Sequence, residues 1–299
     1  MQTKFMSKAD LLQVGKIAAL TTVTWLTSPR LWRKAAATTA CFGTYCADLS
    51  IYQRVWGPTF DENAASVLNY KRRVCRHEAC LQVLGLKGIW RSWCPDIRLH
   101  GDAELRKALN KGRGAILWVT DSTYSTLIFK MALNSAGYRA CQLSRPGHGF
   151  SNSPFGIRFL NPLWTTVEDR FIDERVIIQS DNAASALAIL RARLAANRIV
   201  IITVHSMAHR IVEAPFFQHS IRLPTGPMRL SQETGAPLLP AFVFAGGDGH
   251  FDVTIENALP VSDQEGAFDS TATAYAKLLE PYVHKYPEQW TGWEFMLAA

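Results

Sequence analysis

The pattern of apolar and polar positions predicts strands that alternate with helices from residue 115 onward. The predicted strands are short apolar runs, which lie at 115–120, 138–143, 198–204 and 238–244. The predicted helices carry apolar residues at helical spacing and lie at 122–135, 182–196 and 270–284. Strands that alternate with helices build parallel sheets through right-handed crossovers. We therefore expect the α/β class, with a mostly parallel sheet flanked by helices.

Three stretches depart from this alternation. The run at 251–256 predicts an outer antiparallel strand, and residues 61–93 predict helices with a basic, solvated face. Residues 144–181 begin with many Gly, Pro, Asn and Ser residues and predict a long irregular segment. Because irregular segments of this length in compact domains are often functional, we expect functional side chains within it.

The first 34 residues combine an apolar run with basic side chains. The run IAALTTVTWL at 17–26 is too short to span a bilayer, and no secretory cleavage site follows it. Six basic residues accompany it against the single acid Asp10. This composition favours a helix in the membrane interface, with Trp25 and Trp32 at headgroup depth. The alternative is a helix that simply packs on the domain.

Composition and charge narrow the class of protein and of partner. The chain is 48% hydrophobic and only 19% charged, which indicates a packed chain rather than a disordered one. We divide it into an N-terminal segment, 1–60, and an α/β domain, 61–299. The net charge of +7 favours an anionic partner, such as a phospholipid surface or an acidic carrier protein. Nucleic acid is disfavoured because the basic residues mix with apolar ones and no nucleic-acid-binding motif accompanies them.

Polar side chains follow three of the predicted strands. These segments run from Asp121 to Thr126, from Ser144 to Phe150 and from His205 to Arg210. In an open α/β sheet, ligands bind beyond the carboxyl ends of the strands. We therefore expect the functional site where these three segments meet.

Three segments resemble the lipid A lauroyl and myristoyl acyltransferase family. GRGAILWVTDSTYSTLIF at 112–129 resembles the family's glycine pair, buried strand and His-x4-Asp/Glu motif. APFFQHSIRLPTGPMRLSQETGAPLLPAFVF at 214–244 is similar to its PFF turn, TGP helix start and TGAP strand, and KYPEQWTGWEF at 285–295 is similar to its PEQW signature. The resemblance covers about residues 60–298 in order. It implies the glycerolipid-acyltransferase-like fold.

The resemblance also implies a reaction. Family members transfer an acyl chain from a carrier thioester to a hydroxyl, and a histidine oriented by the acid acts as general base. It implies acyl carrier protein or acyl-CoA as co-substrate, no cofactor, and a place at the cytoplasmic face of the inner membrane. This sequence departs from the motif, since Asp121 stands at the histidine position and Thr126 at the acid position.

Three interpretations of that departure stay open. Asp121 acts as the base after burial raises its pKa, with Thr126 able only to hydrogen-bond. Alternatively, His205 or His209, which follow the strand at 198–204, has taken over the role and Asp121 orients it. In the third interpretation acyl transfer is lost, and the chain is a lipid- or carrier-binding homologue that keeps the pocket.

Five further residues are candidates for substrate binding. Arg145 stands at the family's YRP-like position, and His148 lies in the same loop. In this interpretation Arg145 pairs with the phosphate of a lipid or of a phosphopantetheine arm. Arg222, Thr225 and Gly226 stand at the start of a predicted helix, whose backbone N–H groups favour anions. The alternative makes Arg145 a surface residue and Thr225 a plain N-cap.

The sequence predicts neither a metal site nor a bound cofactor. The six cysteines include no CxxC pair and no companion histidines at zinc-ligand spacing, as expected for reduced thiols in a cytosolic compartment. His205 and His209 have the spacing of two metal ligands on one helical turn, but no clear third ligand accompanies them beside Asp121.

Overall fold

The computed structural model describes most of the chain from residue 95 onward and one helix before it. The described residues are 5–26, 85, 95–179, 181–204, 210–246, 250–262, 264, 267–287 and 289–296. Apart from residue 85, the basic helices predicted at 61–93 lie outside this set, and so does Trp32. The domain boundary at residue 60 also falls there and stays a prediction.

The strands of the described residues form one large sheet and one hairpin. They are β1 (Ile97–His100), β2 (Ala115–Val119), β3 (Ala140–Ser144), β4 (Glu174–Ile177), β5 (Ile199–Thr203), β6 (Ile211–Phe216), β7 (His219–Pro224), β8 (Leu238–Ala245) and β9 (Phe251–Ile255). Seven of them form a sheet in the order β1-β9-β8-β2-β5-β3-β4, and β6 and β7 form an antiparallel pair. Neighbours in the sheet are parallel except β8 and β9. The expected mostly parallel α/β sheet is confirmed.

Helices cover both faces of this sheet. They are α1 (Lys8–Leu26), α2 (Asp102–Leu109), α3 (Ile128–Ser135), α4 (Asn161–Glu168), α5 (Ala183–Ala195), α6 (Gly226–Thr234) and α7 (Asp269–Lys285). On one face, the ring of Trp118 lies 4.2 Å from that of Tyr275 on α7, and on the other Leu117 packs in the cluster that includes Phe129 on α3. Because both faces are covered, all five residues of β2 are buried.

Three sequence predictions of secondary structure are wrong in part. The segment at 144–181 is not irregular throughout, since it contains a π-helix (Gly156–Leu160), α4 and β4. The strand β9 is antiparallel to β8 as expected but is not outermost, because β1 pairs along its other side. The helix expected from residue 122 begins at Ile128, because hydroxyl side chains in the preceding residues make local hydrogen bonds in turns instead.

The helix α1 begins in a capping box and is tied to the domain there. The Ser7 backbone N donates to Asp10 Oδ2 at 2.6 Å, and the Asp10 backbone N donates to Ser7 Oγ at 3.1 Å. Ser151 Oγ, which lies after β3, donates to Asp10 Oδ1 at 2.6 Å. These hydrogen bonds, from Ser151 and Ser7, lower the pKa of Asp10. The start of α1 therefore packs on the domain.

The rest of α1 exposes apolar side chains to solvent. Five of them are exposed along its length: Leu11, Leu12, Val14, Trp25 and Leu26. No helix among the described residues has the length and apolar character needed to cross a membrane. The interfacial position of this helix stays a prediction.

Loss of the Asp10 contacts is expected to loosen α1. Replacing Asp10 with Ala removes the carboxylate half of the capping box and the bond from Ser151. We therefore expect trypsin to cleave after Lys16 roughly fivefold faster, the effect of one lost helix cap. The measurement is the cleavage rate under native conditions. Gln13→Ala, on the same helix, is the matched control. Equal rates for the two variants would show that Asp10 does not anchor the helix.

Candidate active site

The carboxyl ends of β2, β5 and β3 lie side by side at one edge of the sheet. Asp121 follows β2, whose last hydrogen bond runs from Thr120 N to Ala241 O at 2.9 Å. Arg145 follows β3 directly and is exposed. Since β5 lies between β2 and β3, the two strand ends are roughly 10 Å apart. His205 and His209 follow β5 in sequence but lie outside the described residues.

The turn after β2 presents the two positions of the degenerate motif. The residues from Ser122 to Ser125 are buried, whereas Asp121 and Thr126 on either side of them are half-buried. Ser122 Oγ donates to Val243 O at 2.8 Å, and Ser125 Oγ donates to Ser122 O at 2.7 Å. The buried hydroxyls thus fix the turn on β8, and Asp121 and Thr126 keep access to solvent.

The PEQW segment closes this turn from the other side. The Thr123 backbone N donates to Gln289 O at 2.9 Å, and the Thr291 backbone N donates to Asp121 O at 3.0 Å. The Gln289 side chain pairs with Ala245 at the end of β8, accepting at 2.7 Å from its N–H and donating at 2.9 Å to its carbonyl. The sequence shows the PEQW motif but not its contacts with the Asp121 turn, because the two segments lie far apart in the chain.

A buried tyrosine lies beneath Asp121. Burial raises the pKa of the Tyr275 phenol, the neighbouring Thr120 opposes this, and the charge of Asp121 raises it further. The negative charge of Asp121 therefore affects the buried phenol of Tyr275. Tyr275 itself remains protonated across the physiological range.

A second polar group surrounds the carboxylate of Glu168, at the end of α4. Glu168 is fully buried and accepts hydrogen bonds from four side chains, which are Lys130 Nζ, Trp164 Nε1, His148 Nε2 at 2.9 Å and Arg175 Nη2 at 2.9 Å. We call these five residues the Glu168 cluster. It joins α3, the loop after β3, α4 and β4.

The charges in the Glu168 cluster control one another. Burial alone would raise the pKa of Glu168, but Lys130, His148 and Arg175 hold it well below its usual value. Burial lowers the pKa of Lys130 to about 8, against the opposing effect of Glu168. At neutral pH Glu168 is thus ionised and Lys130 is mostly protonated.

The candidate binding residues lie at two places. Arg145 and His148 share the loop after β3, where the His148 backbone N donates to Arg145 O at 3.2 Å. Arg222 is exposed on β7 and lies 3.8 Å from Glu213 on β6. Thr225 is the N-cap residue of α6, but its side chain makes no capping bond.

The helix start at Gly226 lies at the same edge as Asp121. The helix α6 precedes β8, which is parallel to β2, so the start of α6 is at the carboxyl edge of β2. Thr225 Oγ1 instead points to Arg210 O, at 3.4 Å. A backbone N–H group of this helix turn is therefore not occupied by the Thr225 hydroxyl, and Gly226 is exposed.

The part of the chain that the structure describes offers little for metal ligation. There, no group of three or more His, Cys, Asp and Glu side chains is placed to hold a metal ion. The pair His205 and His209 lies outside that part. The sequence prediction about metals therefore stays a prediction.

Comparison with known proteins identifies one family. A family model described as bacterial lipid A biosynthesis acyltransferase matches residues 91–293. The match includes all seven strands of the sheet, the turn at 121–126 and the Gln289 segment. No curated protein matches the chain.

Proposed function

Because the chain belongs to the bacterial lipid A biosynthesis acyltransferase family, we propose that it transfers an acyl group from a thioester to a hydroxyl or amine acceptor. The family match confirms the resemblance drawn from the three sequence segments, and it points to acyltransferase activity. The observation that supports the finer proposal is the turn after β2, where Asp121 and Thr126, at the family's motif positions, are the half-buried residues on either side of a buried segment.

The proposed donor is acyl carrier protein or acyl-CoA, and no cofactor takes part. Both donors are anionic, which suits the net charge of +7. Exposed Arg145 is suited to a phosphate of the donor or of a lipid, and His148, Arg222, Thr225 and Gly226 are further binding candidates. Guanidinium groups bind phosphate through two parallel hydrogen bonds, which makes Arg145 the first of these to test.

The proposed location is the cytoplasmic face of the inner membrane. Proteins of this family are membrane-associated. The exposed apolar side chains of α1, which include Trp25 and Leu26, support a lipid surface as partner. Basic side chains on the same helix, Lys8 and Lys16, favour an anionic surface.

The proposed reaction needs a group that accepts a proton from the acceptor. The acceptor oxygen or nitrogen attacks the thioester carbonyl carbon, the C–S bond breaks, and the thiol leaves with the proton that the acceptor lost. The sequence offers Asp121, His205 and His209 for the base, with Thr126 as a hydrogen-bonding neighbour of Asp121. The site therefore differs from the His-x4-Asp/Glu arrangement of the family while standing at the same edge of the sheet.

The test is product formation by the purified full chain. We expect mass spectrometry to show an acylated lipid after incubation with lauroyl and myristoyl carrier thioesters and a membrane lipid extract. Asp121→Asn should lower the rate by at least about 100-fold, the usual contribution of acid–base or electrostatic groups. Asp181→Asn, an exposed aspartate on the loop before α5, is the control.

One result favours a different function. If thioester and lipids stay unchanged while acyl chains co-purify with the parent and with both variants, transfer is absent. The replaced histidine and acid of the motif would then mark a lipid- or carrier-binding homologue. That result would overturn the proposed activity while leaving the family membership intact.

A further inference from the structure

We propose that His148, oriented by Glu168, is the general base of the acyl transfer. This inference rests on the proposed function, since it assigns a residue to that reaction. It places a histidine–carboxylate pair in the loop after β3 instead of in the turn after β2. His148 then acts on the substrate directly, whereas Glu168 is a positioning residue.

The hydrogen bond between the two side chains fixes the tautomer of His148. Glu168 is ionised and fully buried, so its oxygen accepts the 2.9 Å bond from His148 Nε2. Nε2 then carries the hydrogen, and Nδ1 carries the lone pair that accepts a proton. The His148 side chain is 19% exposed and Glu168 is 0% exposed, so the ring lies between the buried cluster and solvent.

The other members of the cluster hold the carboxylate in place. Lys130, Trp164 and Arg175 all donate to Glu168, and Arg175 also pairs with Asp169 through Nη2 at 2.6 Å. The two cations balance the two carboxylates when the imidazole is unprotonated. An imidazolium formed during the reaction faces the Glu168 carboxylate directly, which stabilises it.

The backbone of the loop is locked onto the helix that carries Glu168. Gly149 follows His148 with a φ of +137°, and a Cβ there would lie 2.7 Å from Asn161 Cγ. Asn161 begins α4, and its side chain accepts from Ser151 N at 2.9 Å and donates to Ser151 O at 2.7 Å. The loop and α4 therefore move as one unit, which keeps the His148–Glu168 geometry.

Two members of the cluster are close in sequence to the ends of β2 and β3. Lys130 lies in α3, which directly follows that turn, and His148 lies three residues after Arg145 at the same edge of the sheet. In the proposed step, Nδ1 of His148 takes a proton from the acceptor. At the same time, the acceptor oxygen or nitrogen attacks the thioester carbon. The C–S bond breaks, and the proton passes from the imidazolium to the leaving thiolate. Asp121 then binds the acceptor from the end of β2.

The experiment uses a variant that keeps the hydrogen bond to Glu168. In His148→Gln the amide N–H reaches Glu168 in place of Nε2–H, but no basic nitrogen remains. We expect at least about a 100-fold loss of kcat with little change in the unfolding midpoint. His148→Ala should regain activity when imidazole is added. His100→Gln is the matched control, because His100 also bonds a carboxylate, Asp252 at 3.2 Å.

Each outcome decides one of the two proposals. An active parent with an inactive His148→Gln and imidazole rescue of His148→Ala supports the base assignment. An active parent whose His148→Gln variant stays within threefold overturns the assignment and leaves acyl transfer standing. A parent that forms no product overturns both, and that failure is visible in the parent alone.

Discussion

Replacing Glu168 with Gln is expected to lower the free energy of unfolding by about 3–5 kcal/mol. Glu168 has no exposed surface and Lys130 is 1% exposed, so the variant leaves a buried ammonium group without its partner charge. An unpaired buried cation is far more destabilising than a lost surface ion pair. Urea unfolding of the full chain at neutral pH measures the effect.

An exposed pair provides the control for this substitution. Glu104 lies 3.6 Å from Lys107 on α2, and both are partly or largely exposed. Glu104→Gln is expected to change the free energy of unfolding by less than about 1 kcal/mol. Adding Lys130→Met to Glu168→Gln should recover part of the loss, because it removes the orphaned charge. Equal effects of Glu168→Gln and Glu104→Gln would contradict the structural importance of the cluster.

The same carboxylate makes stability depend on acid. The pKa of Glu168 is lowered in the folded state, so its contribution is present above the unfolded value near 4.5 and is lost as pH falls through the folded value. As pH falls below about 4.5, the parent should therefore lose stability more steeply than the Glu168→Gln variant. Unfolding midpoints measured across this range give the comparison.

Replacing Trp290 with Ala is expected to destabilise the chain by about 3–5 kcal/mol and to reduce acyl transfer as well. The Trp290 ring is 1% exposed and lies 4.8 Å from that of Trp293 and 5.4 Å from that of Phe216. Its backbone pairs with Ser122, beside Asp121. A cavity at Trp290 therefore loosens the turn as well as the core.

Two variants separate these effects. Trp290→Phe keeps an aromatic ring and should retain more stability and activity than Trp290→Ala. Trp25→Ala removes a tryptophan that is 49% exposed on α1 and should change the free energy of unfolding by less than about 0.5 kcal/mol. Urea unfolding and the thioester assay are run on all three. A Trp290→Ala variant as stable as Trp25→Ala would contradict the packing described.

The sequence predicted the central strands well and the edge strands poorly, for a physical reason. β2, β5 and β8 are buried on both faces, so they appear as continuous apolar runs. β1 and β4 are four residues each, lie at the two edges and contain charged residues, IRLH and ERVI, so no run marks them. The turn at 122–127 was predicted as the start of a helix, but its hydroxyl residues bond locally and to Gln289 instead.

Some residues of the candidate site could be predicted from the sequence and others could not. The positions of Asp121 and Arg145 at strand ends were predictable, because each stands just after a predicted strand. The Glu168 cluster was not, since His148 and Lys130 lie 20 and 38 residues from Glu168 and meet it only in the folded chain. A signal was present nonetheless. Lys130 stands within the apolar sequence IFKMAL, and a charge on the buried face of a helix implies a buried partner.

The pairing between the Asp121 turn and the PEQW segment sets the order in which the site can form during synthesis. Thr123 and Gln289 are 166 residues apart. At ribosomal rates the turn waits roughly 8 to 33 s for its partner to be made. Until then its backbone groups lack their final hydrogen bonds, so the turn that carries Asp121 takes its final form only late in synthesis.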